Sequence, residues 1–420
     1  MFFDINSKVS RMGRRRFLRA MSGLGVSGAA LNHLSKEVVA DTDLDEEVPR
    51  LGKLRHTNHE AVVTGEPPQR EPIHYTISRD EWAVVETAHD AASQVNDLLK
   101  SASLEDEVSA GVTTVTRNHH DQKAVIVKRT VGGTADGNAI VPEPSTDEIK
   151  DMLPDTVSGT AGDGSYRRTI DEIPITVETE RMTPPSQAQQ PTPEDTGPGN
   201  HYEHRYRPVS GGACIQWGSA IPFNHGTSCA PAYNEDAEQY DLVTAGHVNK
   251  SEEMHQPKDD IGDNHQIGTR IEDKNRVDYP GKKAPPSFDA GVVSLDVDHT
   301  HRFATDDGDN SYLDDHSIVG IVGRDKLKDH ANSDFEIRHR GSTTGVNEGT
   351  LGDVYDDYSA YDITADCGGG DSGGPQFTRE YHDELEFYQV YIAGVTYGGG
   401  LNRVRATMSD AVESEFNLQF

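Results

Sequence analysis

Residues 368–375 of this 420-residue chain read Gly-Gly-Gly-Asp-Ser-Gly-Gly-Pro. Glycines on both sides of Ser372 allow a tight loop that presents a hydroxyl together with neighbouring backbone N–H groups. A serine hydroxyl is a weak nucleophile at neutral pH, so an imidazole must take its proton during attack and return it to the leaving group. His247, which closes the run Thr244-Ala245-Gly246-His247, is the candidate base. Asp289 heads the apolar run Ala290-Gly291-Val292-Val293 and follows Phe288; an acid there would orient the imidazole and stabilise its charged form. Asp278 and Asp296 are weaker choices, lacking the aromatic before and the small apolar run after.

The chain order His, Asp, Ser is one of three in which such a triad occurs; the subtilisin and hydrolase types run differently. With GDSGGP at 370–375 and TAGH at 244–247, residues 205–420 resemble the chymotrypsin family of serine peptidases. The stretches Gly341-Ser342-Thr343-Thr344-Gly345 and Ala393–Gly399 add resemblance to its bacterial secreted branch, the streptogrisin and alpha-lytic type. The resemblance implies a mainly β unit of two packed six-stranded barrels with the site between them. It also implies polypeptide substrates cleaved through an acyl-enzyme, with neither cofactor nor metal. The N–H groups of Gly370 and Ser372 would form the oxyanion hole, and Asp371 would pin the loop by pairing with a new amino terminus or a polar group. Thr396 and Gly398 lie on the segment that would pair with an extended substrate backbone. Asp366 stands where trypsin-like relatives place an acid at the base of the specificity pocket, which invites cleavage after Lys or Arg.

Several positions depart from the family pattern. Tyr397 replaces a serine that supports the triad acid, Val248 and Glu348 replace cysteines, and Cys367 does not match the pocket cysteine. Cys214, Cys229 and Cys367 permit one disulfide. Cys214 with Cys229 is the favoured pair, closing a 15-residue loop that would contribute about 3 kcal/mol; three separate buried thiols are the alternative.

The elements that would carry these residues alternate short β-branched runs with Gly- and Asp-rich turns beyond residue 205, an all-β pattern. Upstream, Ser78 and Glu81 have capping-box spacing, and Trp82, Val85, Ala92, Val95 and Leu99 recur on one face, which predicts a helix of about 20 residues. Strand-like runs at Val112–Thr116, Ala124–Val131 and Ile170–Val177 complete a small α+β unit over 70–180, read as a pro-region or an accessory domain. Residues 41–69 are acidic and read as a disordered lead-in, and 181–204 as a Pro-rich linker with five prolines between 181 and 200. Residues 1–40 carry Gly13-Arg14-Arg15-Arg16-Phe17-Leu18-Arg19, a weakly apolar stretch and Val38-Val39-Ala40, the pattern of a twin-arginine signal peptide and hence of secretion.

The formal net charge is −32, and acidic residues outnumber basic ones 71 to 39, which opposes binding to nucleic acid and to anionic lipid. The excess is spread along the chain, as on proteins from halophiles. No stretch approaches the roughly 20 apolar residues that span a bilayer, so no transmembrane anchor is expected. The segment Asp296–Asn310 holds His299, His301, Asp306, Asp307 and Asp309, but its spacing fits neither a calcium loop nor a zinc His pair, so it reads as a solvated acidic loop. Two further readings of the chain stay open: a protease-like binding module without turnover, and an adhesion domain processed by its attached peptidase.

Overall fold

The structure is a computed structural model that describes residues 46–105, 108–117, 119–132, 144–162, 167–182, 201–217, 225–249, 253–256, 265–275, 288–313, 316–383, 386–400 and 402–420. The expected signal sequence and residues 183–200 of the Pro-rich linker lie outside them.

The N-terminal region runs β1 (Glu47–His56), α1 (His59–Val63), β2 (Arg70–Ser78), α2 (Arg79–Ser101), β3 (Val108–Arg117), β4 (His120–Gly132), α3 (Thr146–Met152), β5 (Thr156–Ala161) and β6 (Arg168–Met182). The Ser78 hydroxyl accepts the Glu81 N–H and caps α2. The five residues predicted for the apolar face of α2 are all buried. Composition is overruled at residues 47–56, where the acidic stretch read as disordered forms β1. Its Val48, Arg50, Leu54 and His56 are buried, and β1 pairs with both β2 and a strand near residue 320. An apolar or paired side chain at every second residue outweighs the flanking acids.

Residues 201–420 begin with β7 (Val209–Gly211), β8 (Cys214–Trp217), β9 (His225–Thr227), β10 (Pro231–Asn234), β11 (Gln239–Thr244), β12 (Glu253–His255), β13 (Gln266–Asn275), β14 (Asp289–Leu295) and β15 (His299–Phe303). There follow β16 (His316–Val322), α4 (Arg324–Asp329), β17 (Glu336–Gly341), β18 (Gly345–Tyr355), β19 (Ala360–Ile363), β20 (Pro375–His382), β21 (Phe387–Gly400), β22 (Arg403–Met408), α5 (Ser409–Phe416) and β23 (Leu418–Gln419). An eight-stranded sheet runs β23-β10-β11-β14-β13-β12-β8-β9. In the second sheet β17, β18, β19, β22, β21 and β20 pair successively, and β20 pairs back to β17, so six strands close into a ring. The chain is thus mainly β, with an α+β N-terminal region.

That N-terminal region is continuous with the ring. β1 pairs with β16 and β3 with β18, and one apolar core takes in Ala88, Val95, Val112 and Val127 together with Val319, Leu351, Tyr391 and Val404. Buried charges cross the same seam. Lys128 pairs with Asp353 and, at 3.2 Å, with Asp362; Arg50 pairs with Asp329 at 2.8 Å; Glu180 accepts from Arg405.

Candidate active site

His247 stands just beyond β11, in a turn whose Val248 and Asn249 N–H groups both donate to Ala245 O. Asp289 is the first residue of β14, which pairs antiparallel with β11, so the two side chains meet at one end of the same sheet. His247 Nδ1 lies 2.6 Å from Asp289 Oδ2, and the His247 backbone N–H donates to Asp289 Oδ1 at 3.0 Å. Asp289 is completely buried, and the two bonds set the imidazole by both ring and backbone. A side chain at residue 246 would ruin this contact, because a Cβ there would sit 2.8 Å from Asp289 Oδ1 and 2.9 Å from Lys274 O. Gly246 is therefore a close-approach glycine. From the ring side, Thr407 Oγ1 accepts the Asp289 N–H at 3.0 Å and donates back to Asp289 O at 3.2 Å.

Ser372 lies in the loop between β19 and β20. The loop is bound to the eight-stranded sheet through Thr227, whose N–H donates to Ser372 O at 2.8 Å and whose hydroxyl donates to Gly370 O at 2.8 Å. Gly373 N–H donates to Thr396 O on β21. Gly370 and Gly373 have φ of +106° and +91°, and a Cβ on Gly373 would fall 2.1 Å from Thr227 O, so the loop needs glycine at both. The Ser372 hydroxyl is buried and has no hydrogen-bond partner among the described residues. Among the described residues, the N–H groups of Gly370 and Ser372 donate to no backbone carbonyl. His225 Nε2 lies beside Gly370.

Asp371 is fixed by polar groups. Its Oδ1 accepts the N–H groups of Thr343 (2.7 Å) and Thr344 (3.1 Å), and its Oδ2 accepts the Gly368 N–H (2.7 Å) and the Thr344 hydroxyl (2.8 Å). Burial raises the pKa of this carboxyl, but the nearby His339 ring and the backbone N–H donors bring it below the ordinary carboxylate range. Sequence reasoning marked the Ser-Thr-Thr motif as a resemblance and missed its work here. It also missed His339 on β17, which is fully buried with Nε2 3.6 Å from Asp371 Oδ2, and whose spacing from residues 367–371 gives no signal.

The remaining expectations fare differently. Thr396 is buried on β21 and Gly398 pairs with Arg405 on β22, so both belong to the ring wall beside the loop. Asp366 is exposed, and its Oδ1 accepts the Asn402 N–H at 3.0 Å. Tyr397 is fully buried in the apolar cluster containing Ala245 and Val248, under the histidine turn. The favoured disulfide is absent. Neither Cys214 nor Cys229 is in a disulfide: Cys214 pairs across to Thr227, whereas Cys229 lies beyond the end of β9 among Ala230, Val243 and Ile392, with its Sγ directed at Gly394 O. The acidic segment after β14 is also not simply solvated. Asp306 binds His201 Nδ1 (2.6 Å) and the Tyr202 N–H, and Asp309 takes the Arg205 N–H, tying down residues 201–205.

No family model matches the chain, and no curated protein matches its sequence. Among solved structures it is similar to a glutamic acid specific serine protease described as using a novel histidine triad in substrate binding. The TM-score is 0.33 and the identity 21%, over 50% of this chain and 99% of that one.

Proposed function

We propose that this protein is an exported serine endopeptidase. The observation that carries the reading is the placement of the Ser372 loop against Thr227, on the same sheet that holds the His247–Asp289 pair. With Nδ1 engaged by Asp289, His247 Nε2 serves as base toward Ser372 Oγ, then as acid toward the leaving amine. Hydrogen bonds of this kind tighten in the substrate complex. The open N–H groups of Gly370 and Ser372 stabilise the charge that develops on the carbonyl oxygen. Thr396 and Gly398 lie on the strand proposed to pair with extended substrate.

The direct test is labelling of the full chain with a serine-reactive phosphonate, with peptide hydrolysis measured in parallel. Ser372→Ala should abolish labelling and leave only the ~10³–10⁴-fold acceleration over water that binding and the oxyanion hole supply. Unchanged turnover in that variant would end the peptidase reading, and an unmodified chain that folds but never labels would favour a binding module.

Residues 41–200 are proposed to act as an intramolecular pro-region. The shared core and the strand pairings of β1 and β3 support a folding role, since the ring without them exposes apolar surface and unpaired charges. Expressed alone, residues 205–420 should refold poorly until 41–200 are supplied in trans. Equal refolding without it would mark the region as an accessory domain.

A further inference from the structure

At the base of the nucleophile loop, three side chains that take no part in the proposed proton transfers converge from two elements, β17 and the loop itself. The Nδ1 or Nε2 of His339, the Sγ of Cys367 and a carboxylate oxygen of Asp371 lie within 4.8 Å of one another. His339 is completely buried, and its Nε2 has no hydrogen-bond partner. That nitrogen faces Asp371 Oδ2 at 3.6 Å, too far for a hydrogen bond. Its other nitrogen, Nδ1, is 3.1 Å from Thr396 Oγ1, which fixes the ring plane. The Cys367 thiol donates to Gly368 O at 3.8 Å, a long and weak contact. Cys367 is only part-buried, which gives the cluster a route to solvent.

From this geometry we infer that His339, Cys367 and Asp371 form a binding site for a zinc-class transition metal that holds the oxyanion loop in an inactive state. The donor set, one imidazole, one thiolate and one carboxylate, suits zinc or cobalt(II) better than a hard cation such as magnesium. Ligand bonds of 2.0–2.3 Å in a tetrahedral site put donor atoms about 3.5 Å apart, so these groups need to close by no more than about 1.5 Å. On binding, the Cys367 S–H bond breaks, its proton leaves to solvent, and a sulfur–metal bond forms. The metal keeps its oxidation state and a fourth position for water. All the hydrogen bonds that Asp371 accepts go to residues of the loop or of the Thr343–Thr344 turn. A metal that takes Oδ2 displaces the Thr344 hydroxyl or the Gly368 N–H and so shifts the segment that carries the Gly370 and Ser372 N–H groups.

The binding half of this inference is independent of turnover; the inhibitory half rests on the peptidase reading. The full chain carrying Ser372→Ala, kept reduced, is titrated with cobalt(II) and followed by absorption. A near-ultraviolet thiolate-to-cobalt charge-transfer band should appear, vanish with Cys367→Ser, and require at least about 10–100-fold more metal with His339→Gln. In the unmodified chain, zinc should depress turnover reversibly, with chelator restoring it, and the midpoint should move with the same two substitutions. Absence of the band, or its persistence at unchanged affinity in Cys367→Ser, overturns the site. A normal band without zinc inhibition overturns the control of the loop. A normal band in a chain that never reacts with phosphonate leaves the metal site standing and sinks the peptidase reading instead.

Discussion

Two seams meet in the six-stranded ring, and they are joined by different chemistry. Against the eight-stranded sheet the ring is held by apolar packing, Val243 and Val292 against Ile392 and Val395, crossed by neutral hydrogen bonds: Thr227 to Ser372 and Gly370, Thr407 to Asp289, and Ser342 N–H to Thr227 Oγ1. Against the N-terminal region it is held by an apolar core crossed by buried ion pairs, Lys128 with Asp353 and Asp362, and Arg405 with Glu180. Neutral hydrogen bonds are directional and nearly indifferent to salt, so they suit a seam that must place a nucleophile against its base. Ion pairs tolerate looser geometry, yet each partner is costly to leave behind unpaired. The first seam specifies position and the second enforces association.

The largest effect expected from breaking this contrast is at Lys128. Replacing it with Ala leaves the two buried carboxylates with Arg403 alone, whose Nη1 lies 2.9 Å from Asp353 Oδ2 and 3.0 Å from Asp362 Oδ2, and should cost about 3 kcal/mol, read by denaturant unfolding of the full chain. A loss under about 1 kcal/mol would mean that water reaches this seam. A second break lies where His56 and His59 of the N-terminal region meet His299 and His301 of β15. Burial lowers the pKa of all four, that of His56 to about 4, and both ring nitrogens of His301 lack partners. Groups depressed in this way contribute stability that is present above about pH 6.5 and is lost as pH falls toward 4. His301→Leu should therefore stabilise by about 1–3 kcal/mol at neutral pH, and its advantage should widen at pH 5. A melting difference that narrows on acidification would contradict this.

At the first seam, Thr407→Val removes the hydroxyl that both accepts from and donates to the Asp289 backbone. It should cost about 1–2 kcal/mol and lower kcat with little change in KM. An effect confined to KM would place Thr407 outside the positioning of the triad. The smallest effect per interaction comes from salt. The screening length grows from about 3 Å at 1 M to 10 Å at 0.1 M, so carboxylate repulsion on this acidic chain should lower the melting temperature steadily as salt is withdrawn. A flat or rising melting temperature would refute a halophilic reading of the composition.

Much of the first seam was legible in the sequence. Gly246, Gly370 and Gly373 are tied to backbone conformations and contacts that admit no side chain, and the Asp289 run reads directly as a buried strand. The second seam was not legible, because its contacts join residues far apart. Nothing near Lys128 announces Asp362, and nothing near His339 announces Cys367. β1 was misread because composition was averaged over 41–69, whereas Glu47–His56 holds one acid and its burial follows alternation. The disulfide was misread because separation in sequence does not report which core a thiol faces.

The pairing of β1 with β16 also has a kinetic consequence. Arg50 and its partner Asp329 are 279 positions apart, so β1, which can pair early with β2 on one edge, meets β16 on the other only when three quarters of the chain exists. Closing so long a loop is slow, and until then β1 carries an unsatisfied edge through most of synthesis. Strand β1 is made early and completed late.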